Sequence, residues 1–278
     1  MLFQDQTLPF DYSFGIPMII FWLITFVFCL LLLDTQMMSK KMRISILLIT
    51  IIFGGIWLGG IPNAVMPIQQ SLTAIGLRTN FDYLLPAIII VCVLLTTSVI
   101  VGRIFCGFAC PIGALQELIS KINFKSDLKA QKEVKFRIDV STRLSVKVRW
   151  IFLGLLFLSA SIWSLIILPG FNPLLGFSIF RSPDSRTLVI PFIALILVCI
   201  TSVFLYRPWC RFLCPFGIGS SFLTRTKLQH MENCTDCGVC EKICPTQEAT
   251  KESKKGECYL CFRCAEACPN NAIIFRLG

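Results

Sequence analysis

Gly102-Arg-Ile-Phe-Cys106-Gly-Phe-Ala-Cys110-Pro111-Ile-Gly113 and Tyr206-Arg-Pro-Trp-Cys210-Arg-Phe-Leu-Cys214-Pro215-Phe-Gly217 are two copies of one motif, R-x-x-C-x3-C-P-x-G, with Cys106 and Cys210 104 positions apart. Each copy follows an apolar helical hairpin whose connecting loop carries proline and asparagine, at Pro62-Asn63 and at Asn172-Pro173. The chain therefore reads as one leading helix and two units of hairpin plus motif. Two spans per unit preserve direction, so the units are parallel repeats about an axis normal to a membrane.

Around the motifs lie five apolar runs, at 17–33, 44–60, 83–101, 148–168 and 188–206. Each approaches the ~20 helical residues that a bilayer core requires. Of 278 residues 55% are hydrophobic and 15% charged, where a soluble chain carries about a quarter charged; the mean hydropathy is +0.74. These values predict an α-helical polytopic membrane protein. Asp5 and Asp11, not a basic cluster, precede the first run, so it does not read as a cleaved signal peptide. Tyr83, Trp150 and Tyr206 lie near run ends, where amphipathic rings favour the interface.

Charge sets the expected orientation. Segments 34–43, 102–149 and the residues after 206 hold 23 of the 26 Lys and Arg; Arg78, Arg181 and Arg186 alone fall on the other side. Positive residues favour the cytoplasmic face. The N-terminus is thus expected outside, and the motifs and C-terminus in the cytoplasm, with the chain in the inner (cytoplasmic) membrane. A net charge of +10 is explained by this distribution without nucleic acid.

The C-terminal stretch Cys234-Thr-Asp-Cys237-Gly-Val-Cys240-Glu-Lys-Ile-Cys244-Pro245 spells C-x2-C-x2-C-x3-C-P, and Cys258, Cys261, Cys264, Cys268 and Pro269 repeat it. A doubled run of this kind is the bacterial ferredoxin pattern, in which the fourth cysteine of each run ligates the other cube. Cys234, Cys237, Cys240 and Cys268 are expected to hold one 4Fe–4S cluster; Cys258, Cys261, Cys264 and Cys244 a second. Zinc or disulfide readings lack the doubled x2-x2-x3-Pro rhythm. Such thiolates need a reducing compartment, which again places this part in the cytoplasm. The expected division is a transmembrane domain over 1–226 and a small α+β ferredoxin domain over 227–278.

In a C-x3-C motif the two sulfurs share a helix face. Two parallel repeats offering two thiolates each could supply one further cluster through Cys106, Cys110, Cys210 and Cys214. Two separate sites, redox-active dithiols, or four small buried hydrophobes remain as alternatives. Cys29, Cys92 and Cys199 lack partners at ligand spacing and read as core residues. Arg103, Arg207 and Arg211 flank the motifs, either beside a negatively charged cube or as positive-inside anchors. Ile112, Leu115, Leu118, Ile119 and Ile122 recur at helical spacing. They predict a short amphipathic helix, lying at the interface or packed on the ferredoxin module. Segment 125–149 reads as a solvated loop or a docking surface.

The single histidine, His230, cannot provide bis-histidine haem ligation. The chain shows no phosphate-binding loop, dinucleotide fingerprint or nucleophile elbow. Asp82 is the acidic residue at the edge of a span, which leaves little for an ion path.

With its two C-x3-C-P motifs, Cys106/Cys110 and Cys210/Cys214, followed by two ferredoxin motifs, the chain resembles the NapH-type membrane quinol dehydrogenase subunits of periplasmic nitrate reduction. It is similar too to the membrane and ferredoxin portion of the NosR-type proteins of nitrous oxide reduction. The resemblance spans nearly the whole chain. It implies a polytopic carrier linking a quinone pool or cytoplasmic donor to a partner redox protein, with quinone as a candidate ligand. The chain departs from the NosR type in showing no extracytoplasmic flavin-binding domain. The expected function is a membrane-bound iron–sulfur electron-transfer subunit working with other redox subunits. The rival reading is a redox or iron–sulfur sensor, or a maturation factor.

Overall fold

The computed structural model describes residues 12–34, 39–68, 71, 85–122, 138–163, 168–183, 186–224, 228–253 and 255–275. Asp5, Asp11, Arg78, Asp82, Tyr83 and the stretch 125–137, named above, lie outside them. Helices dominate: α1 (Tyr12–Asp34), α2 (Lys40–Ile49), α3 (Leu85–Ile100), α4 (Pro111–Ser120), α5 (Thr142–Trp163), α6 (Val189–Phe204) and α7 (Pro215–Leu223). Ser39 starts α2 by accepting from Met42 N–H at 3.3 Å, the usual N-cap device. Helix α2 continues as a π-helix over Thr50–Trp57.

The five long helical segments fall on the five apolar runs. Among the described residues one helix, Arg186–Phe204, is both long and apolar enough to cross a membrane; Leu23–Leu33 and Ile88–Ile100 are shorter apolar helices. Each of the five long segments carries exposed apolar side chains. Ile24 and Leu31 on α1, Trp57 on the π-helix, Ile89 on α3, Ile151 and Leu155 on α5, and Leu197 and Ile200 on α6 are all exposed.

The two motifs take the same local form. Phe105–Ala109 and Trp209–Leu213 are single π-helical turns. Cys110 (φ −80°, ψ 120°) and Cys214 (φ −74°, ψ 114°) then turn extended, because the following proline disfavours helical backbone before it. Pro111 and Pro215 open α4 and α7, where the missing N–H costs nothing. The motif glycine is required by packing. A Cβ on Gly113 would lie 2.4 Å from the Cys106 carbonyl oxygen, and one on Gly217 2.9 Å from that of Cys210.

The hairpin loops fold back toward the motifs. Asn63 Oδ1 accepts from Val65 N–H at 2.9 Å and Asn172 Oδ1 from Leu174 N–H at 3.2 Å, so each asparagine opens a short helical turn. Gly60, at φ +87°, would place a Cβ 1.9 Å from the Leu174 carbonyl oxygen, which fixes how closely the two loops approach. Behind them Thr50 donates to the Phe108 carbonyl at 2.8 Å and ties the first hairpin to the first motif.

The C-terminal module pairs β1 (Leu228–His230) antiparallel with β2 (Ile273–Phe275), Leu228 opposite Phe275. Two short helices, α8 (Val239–Ile243) and α9 (Arg263–Ala267), lie within its cysteine runs, each ending just before the fourth cysteine. Leu228, Ile243, Leu260 and Ile273 share one buried core with Leu33, Leu47 and Ile104. The module is therefore packed on α1 and α2, not carried on a tether.

Candidate iron–sulfur centres

The doubled cysteine runs repeat in backbone as well as in sequence. Asp236 and Leu260 (φ 51° and 54°), Gly238 and Phe262 (69° and 59°), and Gln247 and Asn271 (59° and 48°) occupy equivalent left-handed positions. For leucine and phenylalanine this conformation costs about 1–3 kcal/mol each. It persists because it wraps the chain around the cysteines. Cys244 and Cys268 are extended alike, at φ/ψ −72°/117° and −71°/116°. Cys234, Cys237, Cys240 and Cys268 line one pocket. Cys258, Cys261, Cys264 and Cys244 lie close enough to act on one another's charge. Each fourth cysteine thus joins the other run. Backbone amides point at these sulfurs: Glu248 N–H donates to Cys244 Sγ at 3.4 Å and Ala272 N–H to Cys268 Sγ at 3.3 Å. His230 is half-buried in β1, with Nε2 3.0 Å from the Ala249 carbonyl and Nδ1 3.7 Å from Cys234 Sγ; it belongs to the module.

Cys106, Cys110, Cys210 and Cys214 are all buried, and all four line a single pocket between the repeats. Its lining also includes Ala64, Val65 and Leu174 from the returning loops, and Trp209 and Tyr259. The repeats interlock here. Gln116 of the first donates to Cys210 Sγ at 3.3 Å and accepts from Trp209 N–H at 3.1 Å. Arg207 of the second donates to the Cys106 carbonyl at 2.7 Å, and Arg149 to the Cys210 carbonyl at 3.0 Å.

A layer of buried charge covers this pocket. Arg207 Nε and Arg263 Nη2 meet Glu117 at 3.2 and 2.8 Å; Arg103 and Arg149 meet Glu257 at 3.1 and 2.5 Å. Tyr206 donates to Glu117 at 2.7 Å. The ring of Tyr259 lies between Arg103 and Arg207, whose guanidinium carbons are 4.8 and 4.7 Å from its centroid. Burial alone would raise the Glu117 carboxyl, but Arg263 and Arg207 outweigh it and hold it at about 2. Burial pushes the Cys106 thiol up to about 11 against the pull of Arg103, Arg207 and Arg149. Bare thiolates are therefore unfavourable here, and a bound metal would be what keeps these sulfurs deprotonated.

The residues fit a four-thiolate cluster on two further counts. Four arginines face two glutamates, leaving an excess of positive charge that a negatively charged cube would balance. Trp209 Nε1 and Arg207 Nη2 are buried donors without an acceptor among the described residues, and Trp209 lines the pocket. Among the described residues no three His, Cys, Asp or Glu side chains converge on a single-ion site; a four-iron cube spreads its thiolates wider than one ion does.

Several sequence readings change. Helix α4 does not lie with its polar side in water: Gln116 and Glu117 are buried, so of the two readings the packed one holds. Arg103, Arg207 and Arg211 are buried as well; they brace the motifs and do not anchor headgroups. Arg149, read as part of a polar loop, is fully buried at the site. Of the lone cysteines Cys29 is buried, Cys199 half-buried and Cys92 exposed, so the core reading fails for Cys92. Glu117, Glu257, Tyr259 and Arg263 were missed. For Glu117, Glu257 and Arg263 the one signal in sequence is a charge inside an otherwise apolar or cysteine-rich stretch; Tyr259 has none.

A family model described as a 4Fe-4S binding domain matches residues 83–129 and 187–229, one match over each C-x3-C-P motif. The uncharacterized protein MJ0750 of Methanocaldococcus jannaschii is 32% identical over 205 residues, covering 72% of this chain and 81% of that one. The putative electron transport protein YccM of Escherichia coli is 28% identical over 208 residues, covering 66% of this chain and 53% of its own. The ferredoxin-type protein NapH of Haemophilus influenzae is 24% identical over 227 residues, covering 74% and 72%. No solved structure matches.

Proposed function

We propose, from the premise that this chain belongs to the NapH/NosR-type polyferredoxins, that it is a membrane-embedded electron relay. Cys234, Cys237, Cys240 and Cys268 would hold one 4Fe–4S cluster. Cys258, Cys261, Cys264 and Cys244 would hold a second, and Cys106, Cys110, Cys210 and Cys214 a third, shared by the two repeats. Clusters so bound supply one-electron transfer without bond chemistry. The protein's own residues set the order. Cys237 is exposed, the second set is half-buried to buried, and the third is buried. Tyr259 follows Cys258 directly and donates to the Cys210 carbonyl at 3.4 Å, so one residue joins the second set to the third. Cys237 marks where a soluble redox partner would meet the chain, and the apolar lining of Ala64, Val65 and Leu174 where a quinone or a membrane partner subunit would.

The membrane reading rests on the exposed apolar faces of all five long helical segments, a pattern far larger than the patches soluble monomers expose. On it, residues 1–226 form the transmembrane domain, with five spans and the N-terminus outside, and 227–278 the cytoplasmic module. The observation that carries the functional reading is the single pocket lined by four cysteines of two repeats. The test is anaerobic purification of the full chain with iron and sulfide counting, EPR and quinol titration. Serine at any one of Cys106, Cys110, Cys210 and Cys214 is expected to remove the same signal and leave those of the module. Loss of metal confined to one repeat refutes the shared site. A chain that binds clusters but does not respond to quinol or any redox partner is the sensor of the rival reading.

A further inference from the structure

The repeats are not equivalent where their charges are concerned. The 104-residue offset that relates Arg103 to Arg207 and Cys106 to Cys210 relates Glu117 to Ser221. In the first half of the site, Glu117 neutralises Arg207, and Arg207 in turn holds the Cys106 carbonyl. In the second half, Arg149 holds the Cys210 carbonyl and reaches Ser221 Oγ at 3.3 Å, but Ser221 carries no charge. Arg103 and Arg149, both fully buried, would then be two cations facing a hydroxyl.

The carboxylate comes from elsewhere in the chain. Glu257 of the C-terminal module, 2% exposed, accepts from Arg103 Nη1 and Nη2, each at 3.1 Å, and from Arg149 Nη2 at 2.5 Å. The asymmetry recurs at Gly107, whose repeat partner is Arg211. A Cβ on Gly107 would lie 2.6 Å from the Tyr259 carbonyl oxygen, so the first repeat is cut back to admit the module's backbone. Arg211 instead reaches the Val140 carbonyl at 2.8 Å.

We propose that Glu257 is the missing carboxylate of the second repeat: a positioning residue, supplied by the C-terminal module, that completes the charge balance of the four-cysteine site. The module is then a structural part of that site, and the reduction potential there depends on its being seated. Unlike Glu117, which neutralises its arginines from within the repeats, Glu257 leaves with the module. This rests on the reading that the four cysteines hold a cluster.

The experiment uses full-length protein in detergent, prepared anaerobically, as wild type, E257Q, S221E and the double variant S221E/E257Q. Redox titration is followed by EPR on the signal that C106S and C210S remove. Removing a negative charge favours the more negative, reduced form. E257Q is therefore expected to move the equilibrium at least tenfold toward reduction, about 59 mV upward for a one-electron couple. The double variant, with its carboxylate placed beside Arg149 from the repeat's own position, is expected to recover most of that shift and of the thermal stability. An E257Q equilibrium shifted less than twofold from wild type overturns the proposal. So does a double variant no better than E257Q in both potential and melting temperature. If E257Q does not assemble, recovery of assembly in the double variant supports the proposal and failure overturns it. If wild type has no signal that C106S removes, the cluster reading fails by itself. The melting temperatures then still decide whether Ser221 and Glu257 are interchangeable.

Discussion

Arg207, from the second motif, donates to the carbonyl oxygen of Cys106 in the first at 2.7 Å. The guanidinium that contacts a cysteine of one repeat is thus carried by the other, so neither half of the site is complete by itself. The same Arg207 pairs with Glu117 through Nε, a planar two-sided role that lysine cannot fill.

Replacing Arg207 by alanine should therefore break a buried ion pair and leave Glu117 with Arg263 and Tyr206. The expected destabilisation is about 3–5 kcal/mol, seen as a lowered melting temperature with early loss of iron from the four-cysteine site. R207K should fall between wild type and alanine, since the charge is kept and the fork is lost. An alanine variant as stable as wild type would show that the pair carries no weight.

Acid should weaken the same contact. The Glu117 carboxyl is held at about 2, below its unfolded value of about 4.3. A depressed carboxylate contributes stability that is fully present above the unfolded value and is lost as pH falls through the folded one. The contribution at neutral pH is on the order of 3 kcal/mol. Melting temperatures measured from pH 7 down to 3 should drop below about pH 4.3, and E117Q should be less stable at pH 7 with a shallower acid slope. An E117Q profile parallel to that of wild type would contradict the assignment.

Two glycine substitutions should act in opposite directions. At Gly60 an added Cβ meets the Leu174 carbonyl at 1.9 Å with φ at +87°. G60A should push the returning loops apart and cost more than ~1 kcal/mol, with reduced iron at the adjacent site. Gly154, in α5, has nothing within 4 Å of its Cβ position. G154A should be neutral or stabilising by up to ~1 kcal/mol through helix propensity. Equal effects at the two positions would remove the argument for close loop approach.

Reporter fusions test the proposed topology. A reporter after residue 278 should be active only on the cytoplasmic side, and one at the N-terminus only outside. A C-terminal reporter active outside would place the module, and the four-cysteine site on which it packs, on the opposite face.

Much of the molecule is legible in the residues alone. The x2-x2-x3-Pro spacing predicts that each fourth cysteine joins the other run, and Cys268 does line the pocket of Cys234, Cys237 and Cys240. The repeat of the C-x3-C-P motif sets up the meeting of Cys106 with Cys210, since parallel units carry equivalent residues to a common axis. The apolar runs become the long helices because 3.6 residues per turn satisfy each backbone group within its own segment.

What sequence alone could not show is which charges are buried and what they face. Counting cations on one side of the chain treats Arg103, Arg149, Arg207 and Arg263 as surface residues, yet all four are buried against Glu117 and Glu257. Glu117 looks like the polar side of an amphipathic helix until Arg207 and Arg263 arrive from 90 and 146 positions away. A local pattern records propensity and spacing. An ion pair in a core depends on long-range packing that brings an arginine and a carboxylate together and excludes water from both. In this protein the sequence determined the spacing of the cysteine runs, the helices and the repeat. The tertiary structure decided that Tyr259 of the C-terminal module lines the four-cysteine pocket and that Glu257 of the same module pairs with Arg103 and Arg149.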